Sequence, residues 1–192
     1  RKVKIPELPR LPDDLYPDVD VMIATHNESP ELLYKTLNGC NYLKYPDKSK
    51  IHVILCDDNN RPEMAKLAEQ MGVQYYGVTG NKHAKAGNLN YALPLTHSPL
   101  IAIFDADMIP TSNFLLETVP YFFSKEMIRD KGKWRRLTPD DPPDTQKELG
   151  YVQTQQSFYN PDPLQRNLYL EQNAPNEQDY FFREINVGRN RS

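Results

Sequence analysis

No apolar run in the 192-residue chain approaches the roughly 18 residues of a membrane-spanning helix. No apolar stretch of the kind that marks a secretory signal is present either. Cysteine is scarce. Cys40 and Cys56 stand apart, with no Cys-x-x-Cys spacing and no histidine cluster. They read as small buried apolar residues in a reducing, cytosolic setting. A basic excess is missing too: the formal net charge is -3, which speaks against a general nucleic-acid binder, so no nucleic-acid partner is expected. There is no internal repeat and no low-complexity tract. What is present is 39% hydrophobic and 26% charged residues, the balance of a soluble globular domain, at a length that fits one domain with a sizeable core. The chain begins at Arg1 and ends at Ser192, just after the turn-like residues 187–190. Both ends read as cut boundaries.

Residues 1–17 carry Pro6, Pro9, Pro12 and Pro17 among charges. Such spacing excludes helix interior and central strand, so an extended lead-in is expected. From residue 18 a strand–helix alternation begins. Residues 19–24 (VDVMIA) form a short apolar run. Ser29 can then cap a helix with Pro30 at its first position, and Leu33, Leu37 and Cys40 give it an apolar stripe. Residues 51–56 (IHVILC) are the second strand. Asn60 with Glu63 resembles a capping box, Met64, Leu67, Ala68 and Met71 follow at helical spacing, and Gly72 supplies a stop. Residues 73–78 are a third strand, 84–93 a helix, and 100–104 (LIAIF) the most apolar strand. Thr111 or Ser112 caps a helix to about Val119, with Pro120 ending it. Residues 150–156 read as a fifth strand, and Asp162-Pro163 opens a further helix. Residues 124–148, charged and rich in Asp and Pro, read as a polar surface loop. The alternation implies an α/β fold, a mostly parallel sheet with helices on both faces.

In open parallel sheets ligands sit outside the carboxyl ends of the strands. Here those ends carry Thr25-His26-Asn27-Glu28, then Asp57-Asp58-Asn59, then Asp105-Ala106-Asp107. Carboxylates crowded on one rim repel unless a positive charge sits among them. A hard divalent cation shared with substrate phosphates is the natural partner. Each piece has an ordinary alternative: Asp-x-Asp is common in turns, and Asp-Asp-Asn is usual turn and cap chemistry. Their joint placement at the ends of one sheet favours the functional reading. His83-Ala84-Lys85-Ala86-Gly87-Asn88-Leu89-Asn90 adds small residues and a helix start whose free N–H groups suit an anion. Lys85 contributes a point charge suited to phosphate, against the alternative of a solvated lysine. His83 reads as a packing histidine.

These residues together resemble the family-2 glycosyltransferases of the GT-A fold, and within them the cellulose-synthase group. The resemblance runs through the segments above, Pro110-Thr111, Tyr151-Val152-Gln153-Thr154-Gln155-Gln156 and Asn160-Pro161-Asp162-Pro163, covering roughly residues 18–170. Its specific elements are Lys-Ala-Gly-Asn-Leu-Asn and the Gln-Thr segment. The resemblance implies a GT-A, half-Rossmann-like domain whose N-terminal part is residues 18–192. It implies UDP-sugar contacts at Thr25, His26 (often Tyr in relatives), Glu28, Asp57, Asp58, Lys85, Asp105 and Asp107. Asp105 and Asp107 would hold Mg2+ or Mn2+, and Gln153 and Thr154 would lie on the acceptor side. Asn59 stands where relatives often have Gly, which keeps the turn open because Asn tolerates positive φ. The implied reaction is inverting transfer from a UDP-sugar, UDP-glucose by preference, to a growing β-linked polysaccharide acceptor.

The family's general base belongs to a Thr-Glu-Asp motif, and its acceptor is held at Gln-x-x-Arg-Trp. Neither occurs in this sequence. The 192 residues are therefore expected to be soluble and inactive alone, while the complete enzyme sits in the cytoplasmic membrane with this domain facing the cytosol. Two competing functions stay open: a sugar-phosphate nucleotidyltransferase, which also sets paired aspartates on such a sheet, and a non-catalytic nucleotide-sugar-binding module.

Overall fold

The computed structural model describes residues 8–79, 84–142 and 149–154, and for 84–86 the course of the helix only. The chain divides into two compact units, Leu8–Glu148 and Arg1–Glu7 with Leu149–Ser192. The first unit opens with a 3-10 turn at Asp13–Leu15, and Leu11 and Tyr16 are buried against the core. The described part of the lead-in is thus packed rather than simply extended.

Strand β1, Val19–Thr25, is buried along its whole length. It leads into helix α1, Pro30–Asn41, which starts as expected: the Ser29 hydroxyl accepts the Leu32 N–H at 3.3 Å, with Pro30 in the first turn. Such a cap stabilises a helix by about 1 kcal/mol. Strand β2, Ile51–Asp57, turns into helix α2, Pro62–Met71, which Gly72 ends in a left-handed conformation at φ 68. The Asn60–Glu63 capping box does not form. Asn60 is itself left-handed, at φ 48, so the cap position falls to Arg61, whose side chain makes no cap bond. The tolerance of positive φ expected of Asn59 is used one residue later.

Strand β3 is Gln74–Gly77, helix α3 is Ala84–Ala92 and strand β4 is Leu100–Asp105. Helix α4, Phe114–Thr118, is shorter than expected because Pro120 lies in a following 3-10 segment, Val119–Phe123, and its N-cap position is Asn113, without a side-chain cap, rather than Thr111 or Ser112. The four strands form one parallel sheet in the order β3-β2-β1-β4. Val21, Ile23 and Leu55 face α1 and α2, meeting Leu33, Leu37 and Met64. Met22, Ile54 and Cys56 face α3 and meet Ala92 and Leu89. Each fully buried apolar side chain contributes roughly 1.5–3 kcal/mol. Both cysteines are packing residues: burial pushes their thiols up to about 12, far from reactive thiolate.

Residues 124–148 do not form the expected loop throughout. Strands β5, Met127–Asp130, and β6, Lys133–Arg136, pair antiparallel. Lys131 and Gly132 join them, both at positive φ, as a two-residue hairpin turn requires. Arg135 then forks onto Asp141, donating from Nη1 and Nη2 at 2.7 Å each, so that the Arg135 guanidinium holds the Asp141 carboxyl well below the usual carboxylate range. Buried Met127 and half-buried Trp134 tie the hairpin to the core.

In the second unit, residues 149–154 carry no strand. The rest of the expected fifth strand and the helix at Asp162-Pro163 lie outside the described residues. Among the described residues no helix is long and apolar enough to cross a membrane.

Candidate functional site

Parallel pairing brings three strand ends to one level. Thr25 of β1 lies opposite Asp57 of β2, and Ala24 opposite Asp105 of β4. The chain lays β2 and β3 on one side of β1 and then returns to place β4 on the other. Such a reversal of strand order leaves a crevice at the carboxyl ends. A cleft of about 260 Å3 opens there, lined by Thr25, His26 and Glu28 after β1, Asp58 after β2, and Asp105 and Asp107 after β4.

On the β1 side the Thr25 hydroxyl donates to Glu28 Oε2 at 2.8 Å, and the His26 N–H donates to the same oxygen at 2.7 Å. Partial burial pushes the Glu28 carboxyl up. The His26 N–H, its own N–H, the Thr25 hydroxyl and the Arg61 charge outweigh burial and hold it below its ordinary value. His26 Nδ1 lies 2.6 Å from Asp58 Oδ1, a largely exposed ring closing over an almost wholly buried carboxylate. Asn59 Nδ2 bridges the two loops by donating to the His26 carbonyl at 2.8 Å and to Asn27 Oδ1 at 3.0 Å.

Asp57 corrects the expectation of carboxylates converging on one rim. Successive residues leaving a strand point to opposite faces, so Asp58 reaches the cleft while Asp57 turns inward, 0% exposed. Its oxygens accept from the Arg61 N–H at 2.6 Å, Arg61 Nε at 3.1 Å and the Tyr75 hydroxyl at 3.0 Å. Burial, then the bond to Asp57, raises the Tyr75 phenol and keeps it protonated as a donor. Arg61 is the residue that sequence reasoning missed. It supplies the positive charge on this side, and its readable signal was a basic residue four positions after a strand-end aspartate, just ahead of a helix-opening proline.

The acidic turn after β4 is held through its backbone. The Met108 N–H donates to the Asp105 carbonyl at 3.0 Å. The Thr36 hydroxyl of α1 donates to the Ala106 carbonyl at 2.6 Å. A methyl group on Gly39 of the same helix would stand 2.8 Å from Ile109 Cγ2 and 3.2 Å from Pro110 Cδ, so glycine is what lets this loop lie against α1. Asp105 is half-buried and Asp107 exposed.

Lys85 falls in the first turn of α3, and its side chain, like His83 as a whole, lies outside what is described. That helix is anchored by Asn88, a second residue without an assigned role in the sequence reading. Buried Asn88 Nδ2 donates to the Cys56 carbonyl at 2.7 Å, one residue before Asp57. Among the described residues its Oδ1 has no partner, which leaves one acceptor of a buried amide open to a group from elsewhere. Gln153 and Thr154 are exposed members of the second unit. Among the described residues, no group of three or more His, Cys, Asp or Glu side chains is arranged to hold a metal ion.

A parallel α/β sheet with its acidic strand ends gathered at the order reversal is the architecture of the GT-A fold. The sequence pattern of glycosyl transferase family 2 matches residues 20–173, and the chain belongs to that family. It is 35% identical over 182 residues to Cellulose synthase 1 of Komagataeibacter xylinus, covering 94% of this chain and 10% of that protein. To the Cellulose synthase catalytic subunit (UDP-forming) of Pseudomonas fluorescens (strain SBW25) it is 34% identical over 174 residues, covering 90% of this chain and 20% of that one. The chain therefore spans between 10% and 20% of the length of these two relatives. A mannosyltransferase, PcManGT from Pyrobaculum calidifontis, solved in complex with GDP-Man and Mn2+, shares the fold with a TM-score of 0.51 at 23% identity. The match covers 63% of this chain and 37% of that one.

Proposed function

We propose that the chain is the donor-binding half of a cellulose-synthase-type glycosyltransferase, which moves glucose with inversion from UDP-glucose to a growing β-linked polysaccharide. The observation that carries this reading is the single cleft into which Thr25, His26, Glu28, Asp58, Asp105 and Asp107 converge. Thr25, His26 and Glu28 face the uridine, and Asp58 holds the nucleotide beside them. Asp57 serves from behind rather than by contact. Lys85, at the start of α3, meets the diphosphate. Support for a UDP-sugar comes from the UDP-forming relative.

Asp105 and Asp107 are hard oxygen donors from one strand end. They do not make a protein-only cage, and they fit an ion that takes one or two carboxylates and completes its shell with phosphate oxygens and water. Asp105 and Asp107 would hold Mg2+ or Mn2+, which when bound would supply Lewis-acid stabilisation of charge on the departing diphosphate. Gln153 and Thr154 line the acceptor side. Residues 18–192 form the N-terminal part of the catalytic domain, which in the complete protein works on the cytosolic face of the membrane. Inverting transfer also needs a base within about 3 Å of the acceptor hydroxyl. With the aspartates here committed to nucleotide and metal, the 192 residues alone do not elongate an acceptor.

Calorimetry tests the reading. UDP should bind the 192-residue chain more tightly with Mg2+ or Mn2+ than with EDTA, and Asp105→Asn should remove most of that difference. Metal-independent binding, indifferent to Asp105→Asn in folded protein, would overturn the metal assignment. Absence of UDP binding under any condition would overturn the donor assignment.

A further inference from the structure

Arg61 does not line the cleft, yet its side chain reaches three residues at the ends of two strands. Nε donates to Asp57 Oδ1 at 3.1 Å, Nη1 to the Glu28 carbonyl at 2.8 Å and Nη2 to the Thr25 hydroxyl oxygen at 2.9 Å. Its backbone N–H takes the other oxygen of Asp57. A planar guanidinium can present three nitrogens to three acceptors at fixed angles, and a lysine ammonium cannot.

The consequence lies at Thr25. A hydroxyl has one proton to give and lone pairs to accept with. With Arg61 Nη2 on a lone pair, the Thr25 proton is directed at Glu28 Oε2. The Glu28 backbone is fixed by Nη1 at the same time. The two cleft-facing groups of this turn are therefore oriented by a residue that does not itself line the cleft. We propose that Arg61 is a positioning residue, which sets the hydrogen-bonding direction of Thr25 and Glu28 from behind the cleft while neutralising the buried charge of Asp57.

The effect on ligand affinity rests on the proposed donor reading; the effect on Thr25 and Glu28 does not. Two variants separate positioning from stabilisation in the 192-residue chain. Arg61→Lys keeps the charge and loses the fork. The double change Asp57→Asn with Arg61→Gln removes both charges, so that no buried ion is left unpaired. Three readouts apply: thermal unfolding, the titration of the Glu28 carboxyl and the Thr25 signals by NMR, and affinity for uridine, UDP and pyrophosphate.

In both variants the Glu28 carboxyl should titrate higher than in wild type, and the Thr25 signals should shift. Uridine and UDP should weaken by the same factor, roughly tenfold or more for a lost charge-assisted arrangement, with pyrophosphate unchanged. If Arg61→Lys does not fold, the double variant alone decides. Unchanged Glu28 and Thr25 behaviour in a folded variant overturns the proposal. So does wild-type uridine affinity in the double variant, which would make Arg61 a partner of Asp57 and nothing more. If the wild-type chain binds no uridine nucleotide, the donor reading falls, and the NMR measurements still decide the role of Arg61.

Discussion

On the β1–β2 side of the cleft, all seven residues of β1 are buried and a fully enclosed aspartate is matched by an arginine, a tyrosine and a backbone N–H. Across the cleft, β4 alternates, leaving Ile101 and Ile103 exposed at 38% and 51%. Its acidic turn is held through the carbonyl of Ala106. Among the described residues, the first side is closed by side-chain contacts onto Asp57, and the second carries its carboxylates at the end of β4, the outermost described strand. Groups already locked by packing lose little freedom when a ligand arrives. On the proposed donor reading, the side assigned to the nucleoside is the more prebuilt of the two.

The largest effect should come from the enclosed charge. Asp57→Ala leaves Arg61 unmatched and should cost about 3–5 kcal/mol of folding stability, whereas Asp107→Ala, on the exposed turn, should stay within about 0.5 kcal/mol. Urea unfolding measures both, and equal losses would abolish the contrast. Next come paired neighbours in register, Met22 and Ile103. Met22→Ala should cost about 2–5 kcal/mol and half-exposed Ile103→Ala about 1 kcal/mol. A large loss at Ile103 would mean that this face of β4 is covered in solution.

A binding difference follows. Lys85→Ala should weaken UDP by roughly 1.5–3 kcal/mol, the worth of a charge-assisted contact, and leave uridine unaffected because only UDP carries the diphosphate. Titration calorimetry with both ligands would show this, and equal weakening would place Lys85 with the nucleoside side. The smallest effect is in acid. Since folding depresses the Glu28 carboxyl, its stabilisation is complete above the unfolded value, about 4.3, and is lost as pH falls through the lower folded value. Glu28 is only partly buried, so solvent screening should keep the change under about 1 kcal/mol. Comparing Glu28→Gln with wild type in urea melts between neutral pH and pH 3 isolates it.

The strand ends were legible because they combine two signals, an apolar run of strand length and polar residues where it stops. Ser29-Pro30 was legible for the same reason, as a cap whose chemistry is local. Asp57 was not, because the face to which a strand-end side chain turns depends on the pleat and on what waits behind it. Arg61 waits there, and its three acceptors lie 4, 33 and 36 residues away in sequence. The hairpin was hidden by its charge: Met127–Asp130 and Lys133–Arg136 carry many ionic side chains, though Lys131-Gly132 is a recognisable turn. The Asn60–Glu63 capping box failed because a left-handed Asn60 spends the tight turn one residue early.

Gly39 carries a consequence for natural variation. It lies on α1 and does not line the cleft, yet the loop that follows Asp107 rests on its bare backbone. The helix acts as a ruler against which the acidic arm is measured, with glycine as its zero mark. Even alanine would meet Ile109 Cγ2 at 2.8 Å and Pro110 Cδ at 3.2 Å, so the loop and the helix would have to move apart. The spacing between α1 and the acidic arm of the cleft is thus set at a position that does not line the cleft.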